Sequence, residues 1–123
     1  MTKILLVEDD EIVSRVAVWR LQKLGYEVCG TATNSADALK MAREHPPDLI
    51  LMDIKIAGPT DGITTAKMLK GITAAPLVYL TSQNDDEIIH QAAETQPAGW
   101  VSKPFEDKDL KIAIEIALRR NNP

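Results

Sequence analysis

A single cysteine, Cys29, makes a disulfide within the chain impossible. It lies in a strand-like run, which indicates a packed thiol rather than a reactive one. No apolar run approaches the roughly 20 residues that a membrane-spanning helix needs, and the N-terminus lacks the pattern of a signal peptide. These absences favour a reduced, cytoplasmic protein with no membrane contact.

Clustered charge is also lacking. The 14 basic and 18 acidic residues are interleaved, and the formal net charge is −4. A nucleic-acid footprint needs a clustered basic face, so we expect no direct nucleic-acid binding. With 123 residues, 45% of them hydrophobic, the chain can bury one core. We therefore expect one domain over residues 1–123, with no output domain inside it.

Five short apolar runs alternate with five helix-like patterns along the chain. Short apolar runs separated by amphipathic segments are typical of buried parallel strands. Strands are predicted near residues 3–7, 26–31, 48–53, 76–81 and 98–102, and helices near 10–24, 35–45, 62–71, 84–95 and 106–120. This alternation predicts an α/β fold, a single doubly wound five-stranded parallel sheet with helices on both faces.

Carboxylates stand at the ends of two predicted strands. Glu8, Asp9 and Asp10 follow the first, and Asp53 ends the third. Ligands of open parallel sheets bind at the carboxyl ends of strands, where the strand order reverses. Magnesium prefers oxygen ligands, and a cation offsets the repulsion among acids. We predict a magnesium site of Glu8, Asp9 and Asp53, while Asp10 equally well caps the first helix.

Two further polar residues end the fourth and fifth strands, Thr81 and Lys103. A carboxylate can attack a phosphoryl group, and such transfer needs mainly positioning and neutralised oxygens. We predict Asp53 as the nucleophile, with the Lys103 ammonium and the Thr81 hydroxyl contacting the phosphoryl oxygens. Taken singly, Thr81 and Lys103 would be ordinary surface or strand-end residues, so their joint placement carries this prediction.

These residues resemble the receiver domain of two-component response regulators over essentially the whole chain. An ordered set of motifs is much more specific than any one tripeptide. The matching elements are Ile4-Leu5-Leu6-Val7-Glu8-Asp9-Asp10, Asp48-Leu49-Ile50-Leu51-Met52-Asp53, Asp61-Gly62, Leu80-Thr81-Ser82 and Lys103-Pro104-Phe105.

The resemblance implies a flavodoxin-like fold with strand order 2-1-3-4-5, and transfer of a phosphoryl group to Asp53 from a histidine kinase, a phosphotransfer protein or a small phosphodonor. By position, Asp9 would bind Mg²⁺ directly and Glu8 largely through water. Asp53 would supply a side-chain oxygen, and Lys55 its backbone carbonyl. A cis peptide before Pro104 is also implied.

In the family's switch, the hydroxyl at Thr81 moves toward the phosphate and the aromatic at Trp100 turns inward. A downstream protein, and in some cases a second copy as a homodimer on phosphorylation, reads the altered face. Trp100 is larger than the usual tyrosine or phenylalanine. The segment 53–62 is one residue longer than usual and has Ala57 where proline is frequent, while Lys55 and Gln83 occupy positions that tune dephosphorylation.

Two helices carry apolar residues outside their core stripes. On the first helix, Ile12, Val16 and Trp19 form such a cluster, and we hypothesise that Ile12 and Trp19 touch the phosphodonor. On the last helix, Ile112 and Ile116 form a second strip, which is either an interface or scattered surface residues. The predicted core stripe of that helix consists of Leu110, Ala113, Ile114, Ala117 and Leu118.

Three alternatives stay open. A magnesium phosphatase resembling the haloacid dehalogenases would need an acid two residues after the nucleophile, where this chain has Lys55. A cofactor-binding flavodoxin-like module would need a phosphate loop after the first strand, where Glu8, Asp9 and Asp10 would repel phosphate. A degenerate receiver used only for assembly would not need the intact acid set.

Overall fold

The structure, a computed structural model, describes residues 1–56, 61–82 and 85–120. Within them every predicted element is present, and each end lies at most two residues from its predicted position. The strands are β1 Lys3–Val7, β2 Glu27–Ala32, β3 Leu49–Asp53, β4 Leu77–Thr81 and β5 Gly99–Ser102. The helices are α1 Glu11–Lys23, α2 Ser35–Glu44, α3 Gly62–Lys70, α4 Asp86–Ala93 and α5 Asp107–Arg120. The departures noted at Ala57 and Gln83 lie outside the described residues.

The strands form one parallel sheet in the order β2-β1-β3-β4-β5, which confirms the predicted topology. The order reverses at β1, so β1 and β3 are neighbours although β2 lies between them in sequence. Val7 pairs with Met52, Asp53 with Leu80, and Thr81 with Ser102. The residues that follow these pairs therefore share one edge of the sheet.

The helices cover both faces of the sheet and divide the core in two. Leu5 and Val7 of β1 pack with α2, α3 and α4, whereas Ile4 and Leu6 pack with α1 and α5. Successive strand residues point to opposite faces, which explains why a continuous apolar run serves both cores. The predicted stripe of α5 faces the second core, with three members fully buried and two partly buried: Leu110, Ile114, Ala117, Ala113 and Leu118.

Side-chain caps fix where the helices begin. Asp10 accepts hydrogen bonds from the backbone N–H groups of Ile12 and Val13 at 2.9 and 3.1 Å, so it caps α1. Asp61 caps α3 by accepting from the Thr64 N–H at 2.8 Å. A cap of this kind satisfies an N–H group that lacks a partner inside its helix.

Gly62 lets α3 start against the end of β3. A Cβ at this position would lie 2.3 Å from the carbonyl oxygen of Ile54 and 2.9 Å from that of Asp53. Only glycine tolerates so close a backbone approach. The first turn of α3 is thereby fixed next to Asp53, the predicted nucleophile.

The peptide before Pro104 and the length of the helices also bear on the predictions from the sequence. The Lys103–Pro104 peptide is cis, as the resemblance implied. Among residues 1–56, 61–82 and 85–120, every helix is too short or too polar to cross a bilayer.

Candidate functional site

The predicted acids meet at the carboxyl edge of the sheet. Glu8 follows β1 directly and Asp53 ends β3, while Asp9 comes one residue after Glu8. One carboxylate oxygen from each of the three lies within 4.8 Å of the others. Glu8 and Asp53 are buried, whereas Asp9 is exposed. The structure thus brings together the three predicted side-chain ligands and assigns Asp10 to the cap of α1.

Lys103 connects two of these acids. Its Nζ donates to Glu8 Oε1 at 2.6 Å and to Asp53 Oδ2 at 3.0 Å. The other oxygen of Asp53, Oδ1, accepts the backbone N–H of Lys55 at 3.0 Å. Asp53 is therefore held by hydrogen bonds at both oxygens, and its carboxylate orientation is fixed.

Burial and crowding control the protonation of Glu8. Burial is the main reason that the pKa of Glu8 rises to about 8; the neighbouring Asp53 carboxylate raises this pKa further, and Lys103 opposes both effects. Burial alone would lower the pKa of Lys103, but the bonds and charges from Glu8 and Asp53 outweigh it and leave that pKa raised. Glu8 and Asp53 thus stabilise the charged form of Lys103. The single positive charge of Lys103 does not offset the effect of burial and of Asp53 on Glu8, whose pKa stays raised.

Glu8 also has an unsatisfied oxygen. Its Oε2 is buried and has no hydrogen-bond partner within the described part of the chain. A buried polar atom without a partner costs free energy and normally marks a role that the fold alone does not fulfil. A hard divalent cation takes such oxygen atoms as ligands, so the donor set of Glu8, Asp9 and Asp53 fits Mg²⁺.

Thr81 approaches the site from the neighbouring strand. It is the last residue of β4, is buried, and lies beside the Asp53 end of β3. Its backbone carbonyl accepts the N–H of Lys103 at 2.6 Å. The two residues predicted to contact the phosphoryl oxygens are therefore joined by a backbone hydrogen bond.

Asp85 is a member of this region that the sequence-based prediction missed. It is buried, and its Oδ2 accepts the Ser82 N–H at 2.6 Å while its Oδ1 lies 3.2 Å from the Lys55 ammonium. An acid just ahead of a helix is usually read as a cap, but no side-chain capping bond is found here at the start of α4. Asp85 instead ties the residue after Thr81 to the side chain of Lys55.

Trp100 lies at the outer edge of the sheet, on β5. Its ring is 38% exposed and its centroid lies 5.3 Å from that of Tyr79. Tyr79 is fully buried, and its hydroxyl is hydrogen-bonded to the Thr95 hydroxyl at 2.7 Å. Trp100 therefore packs against a tyrosine that is held in position by a hydrogen bond.

The outer face of α1 is exposed as predicted. Ile12 is 74% exposed and Trp19 is 58% exposed, and Val16 lies exposed between them. The Lys23 ammonium sits 4.1 Å from the centroid of the Trp19 ring, a cation–π arrangement. Asp107 at the start of α5 bonds both Arg20 and Lys23, at 2.8 and 2.7 Å. The end of α1 is therefore anchored near the site-bearing segment that contains Lys103.

Comparison with known sequences points to one family. A sequence model described as the response regulator receiver domain matches residues 4–115. The chain is 32% identical over 118 residues to the transcriptional regulatory protein PdtaR of Mycobacterium tuberculosis, covering 96% of this chain and 57% of that protein. It is also 32% identical over 120 residues to the transcriptional regulatory protein AfsQ1 of Streptomyces coelicolor, covering 98% and 52%. The chain thus spans about half the length of the curated relatives it matches.

Solved structures give the same result. The signal receiver domain of a modulated diguanylate cyclase from Desulfovibrio desulfuricans superposes with a TM-score of 0.92 at 31% identity, covering 98% of this chain and 96% of that one. A response regulator receiver domain protein from Clostridium thermocellum superposes with a TM-score of 0.88 at 27% identity, with coverage of 98% and 96%.

Proposed function

Because this chain belongs to the response regulator receiver domain family, we propose that Asp53 accepts a phosphoryl group and that this modification is the signal the domain transmits. The observation that supports the proposal best is the double contact of Lys103 with Glu8 and Asp53 beside the third acid, Asp9. These four side chains come from three different strand ends, and an arrangement for capping or solubility would not require them to converge.

The transfer itself needs little covalent chemistry from the protein. One carboxylate oxygen of Asp53 forms a bond to phosphorus, and the bond from phosphorus to the donor's nitrogen or oxygen breaks. The donor keeps that electron pair and leaves as imidazole or as a carboxylate such as acetate. Asp53 has no proton to lose when ionised, so the chain contributes chiefly position and charge.

Receiver domains generally bind Mg²⁺ at an acidic pocket, and we assign that role here to Glu8, Asp9 and Asp53 together with the backbone carbonyl of Lys55. When bound, the ion offsets the negative charge of the acids and of the phosphoryl oxygens. Glu8 would then find a partner for its unsatisfied oxygen, and its ionised form would be favoured.

Lys103 and Thr81 have complementary roles in this proposal. The Lys103 ammonium already touches Asp53 Oδ2 at 3.0 Å, so it can follow the developing charge on the transferred group. The Thr81 hydroxyl supplies a further donor once the group is attached. Because the two residues share a backbone hydrogen bond, movement of Thr81 would reach β5, where Trp100 packs on Tyr79.

We assign the phosphodonor, a histidine kinase or a phosphotransfer protein, to the exposed face of α1. Ile12 and Trp19 offer apolar contacts there, on the helix that follows the acids directly. We place this event in the cytoplasm, where histidine kinases draw on ATP, and we take residues 1–123 as the working domain. Its output would be a changed protein partner rather than direct nucleic-acid contact, since acids outnumber bases by 18 to 14.

Intact mass after incubation with acetyl phosphate and Mg²⁺ tests the acceptor. We expect one added phosphoryl group, absent with EDTA and absent in Asp53→Asn. Asp48→Asn is the matched control, because Asp48 is an exposed acid just before the opposite end of the same strand, β3. No gain of mass with either acetyl phosphate or a cognate kinase would favour a degenerate receiver used for assembly.

The donor surface can be tested separately. Trp19→Ala should slow transfer from a cognate kinase and leave phosphorylation by acetyl phosphate unchanged. Met68→Ala on α3 is the matched control, because Met68 is also a large apolar side chain that is about half exposed. Equal kinase-driven rates in Trp19→Ala and the unmodified protein would remove α1 from the proposed docking surface.

A further inference from the structure

Asp85 carries a buried carboxylate that the proposed transfer does not use. The residue is 2% exposed, and it belongs neither to the proposed metal ligands nor to the proposed phosphoryl contacts. Taking a carboxylate out of water costs free energy unless charged and hydrogen-bonding partners replace the water. The contacts of Asp85 therefore indicate what its burial serves.

One carboxylate oxygen of Asp85 closes a turn with Ser82. Oδ2 accepts the Ser82 N–H at 2.6 Å, and the Asp85 N–H donates to the Ser82 carbonyl at 3.1 Å. Ser82 comes directly after Thr81, the last residue of β4. Asp85 therefore fixes the backbone at the point where the chain leaves β4 beside the site. This turn accounts for Oδ2 but not for the burial of the other oxygen.

The other oxygen of Asp85 faces the residue that holds Asp53. Asp85 Oδ1 lies 3.2 Å from the Lys55 ammonium, and Lys55 donates its backbone N–H to Asp53 Oδ1 at 3.0 Å. Within the described residues Asp85 Oδ1 accepts no hydrogen bond, so the ion pair compensates only partly for the buried charge. The Lys55 side chain is 53% exposed, so its ammonium can leave Asp85 without disturbing the core. Another anion can therefore compete for this ammonium.

Taking the proposed function as the basis, we propose that Asp85 is a positioning residue, which keeps the Lys55 ammonium at its own carboxylate and so slows phosphoryl acceptance by Asp53. The phosphoryl group and its donor are anions that attract the same ammonium. The flexible four-carbon stem of Lys55 starts from a backbone fixed at Asp53 and ends at Asp85. Asp85 thereby competes with the phosphoryl group for one cation, a role separate from those of the metal ligands and of Lys103.

The rate of phosphorylation by acetyl phosphate and Mg²⁺ tests this competition. Asp85→Asn keeps an oxygen for the Ser82 N–H but removes the charge that holds Lys55. Phosphorylation should therefore be at least about threefold faster than in the unmodified protein, as expected for release of a partly exposed ion pair. Asp86→Asn is the matched control and should leave the rate unchanged, because Asp86 is an exposed acid in the first turn of α4. Urea unfolding checks that each variant is folded.

Lys55→Gln shows whether the effect depends on the ammonium. In the unmodified background this substitution should change the rate by less than about twofold, because Asp85 holds the ammonium there. In the Asp85→Asn background it should lower the rate at least about threefold and so remove the gain. A general loss of negative charge, or a looser turn at Ser82, would leave the gain in place, and that result would overturn the proposal.

Nuclear magnetic resonance adds a readout that does not depend on transfer. The Lys55 Cε resonance, assigned by its loss in Lys55→Gln, should move in Asp85→Asn without donor or metal. An unchanged resonance would count against the proposal. Equal phosphorylation rates in Asp85→Asn and the unmodified protein would refute the competition and leave phosphoacceptance by Asp53 intact. No phosphorylation of the unmodified protein by acetyl phosphate or a cognate kinase would refute both.

Discussion

The pH dependence of the free energy of unfolding in metal-free protein tests the electrostatics of the site, because Glu8 titrates there. Its pKa is raised from 4.5 in the unfolded chain to about 8 in the folded one, chiefly by burial and secondarily by Asp53. A raised pKa means that the folded state favours the protonated acid. The stability that protonated Glu8 contributes to the folded state is therefore complete below about pH 4.5, and it is lost as the pH rises through about 8.

The magnitude follows from the size of the shift. Each pKa unit corresponds to about 1.4 kcal/mol, so the whole shift sets an upper limit of about 5 kcal/mol. Between about pH 5.5 and pH 7.5 we expect the free energy of unfolding to fall by about 1–3 kcal/mol relative to Glu8→Gln, which cannot titrate. Excess Mg²⁺ should reverse the trend, because a cation that binds ionised Glu8 in the folded state adds stability at high pH.

Urea unfolding in EDTA, followed by far-UV circular dichroism at several pH values, measures these free energies. Glu11→Gln is the matched control, since Glu11 is an exposed acid in the first turn of α1. Asp53→Asn should move the loss to lower pH, because one of the charges that raise the pKa of Glu8 is gone. Parallel stability curves for the unmodified protein and Glu8→Gln would refute the reasoning.

Three further outcomes follow from the structure. Gly62→Ala should destabilise the protein by about 3 kcal/mol and weaken Mg²⁺ binding, because its Cβ would lie 2.3 Å from the Ile54 oxygen. Gly71→Ala at the end of the same helix should be nearly neutral, and chemical unfolding with a Mg²⁺ titration measures both. Tyr26→Phe should cost about 1 kcal/mol by removing a 3.0 Å bond to Glu115. Burial raises the pKa of Tyr26 to about 12, so the unmodified protein should lose that advantage as the pH rises from 10 toward 12. A double-mutant cycle of Lys55→Gln and Asp85→Asn should give a coupling of about 0.5–1 kcal/mol in unfolding free energy, and a coupling near zero would contradict the ion pair.

The architecture could be read from the sequence because each element carries a local signal. The apolar run before Asp53 is buried on both faces, which explains why it lacks the alternation of a half-exposed strand. Asn34 and Asp61 cap α2 and α3 by accepting the backbone N–H groups of Asp37 and Thr64, and both are residue types favoured at such positions. The strand order was not a local property, and it came from the resemblance rather than from periodicity.

The site was predictable as a set of residues but not as a network. Strand ends that share one edge explain why Glu8, Asp53, Thr81 and Lys103 could be grouped in advance. That Lys103 would bond both acids, or that Asp85 would turn away from α4 toward Ser82 and Lys55, depends on distances between segments far apart in the chain. Asp85 falls inside the helix predicted over residues 84–95, and only the structure shows its contacts with Ser82 and Lys55.

The bond between Lys103 and Glu8 spans 95 residues, and the bond to Asp53 spans 50. A growing polypeptide that has completed β1 and β3 thus holds its acids before the lysine that balances them has been made. Contacts so distant in sequence form late and slowly during folding. Under the proposed function, the lysine contacts at Glu8 and Asp53 can form only when the segment after β5 is in place, so a truncated chain that lacks Lys103 would lack both of them.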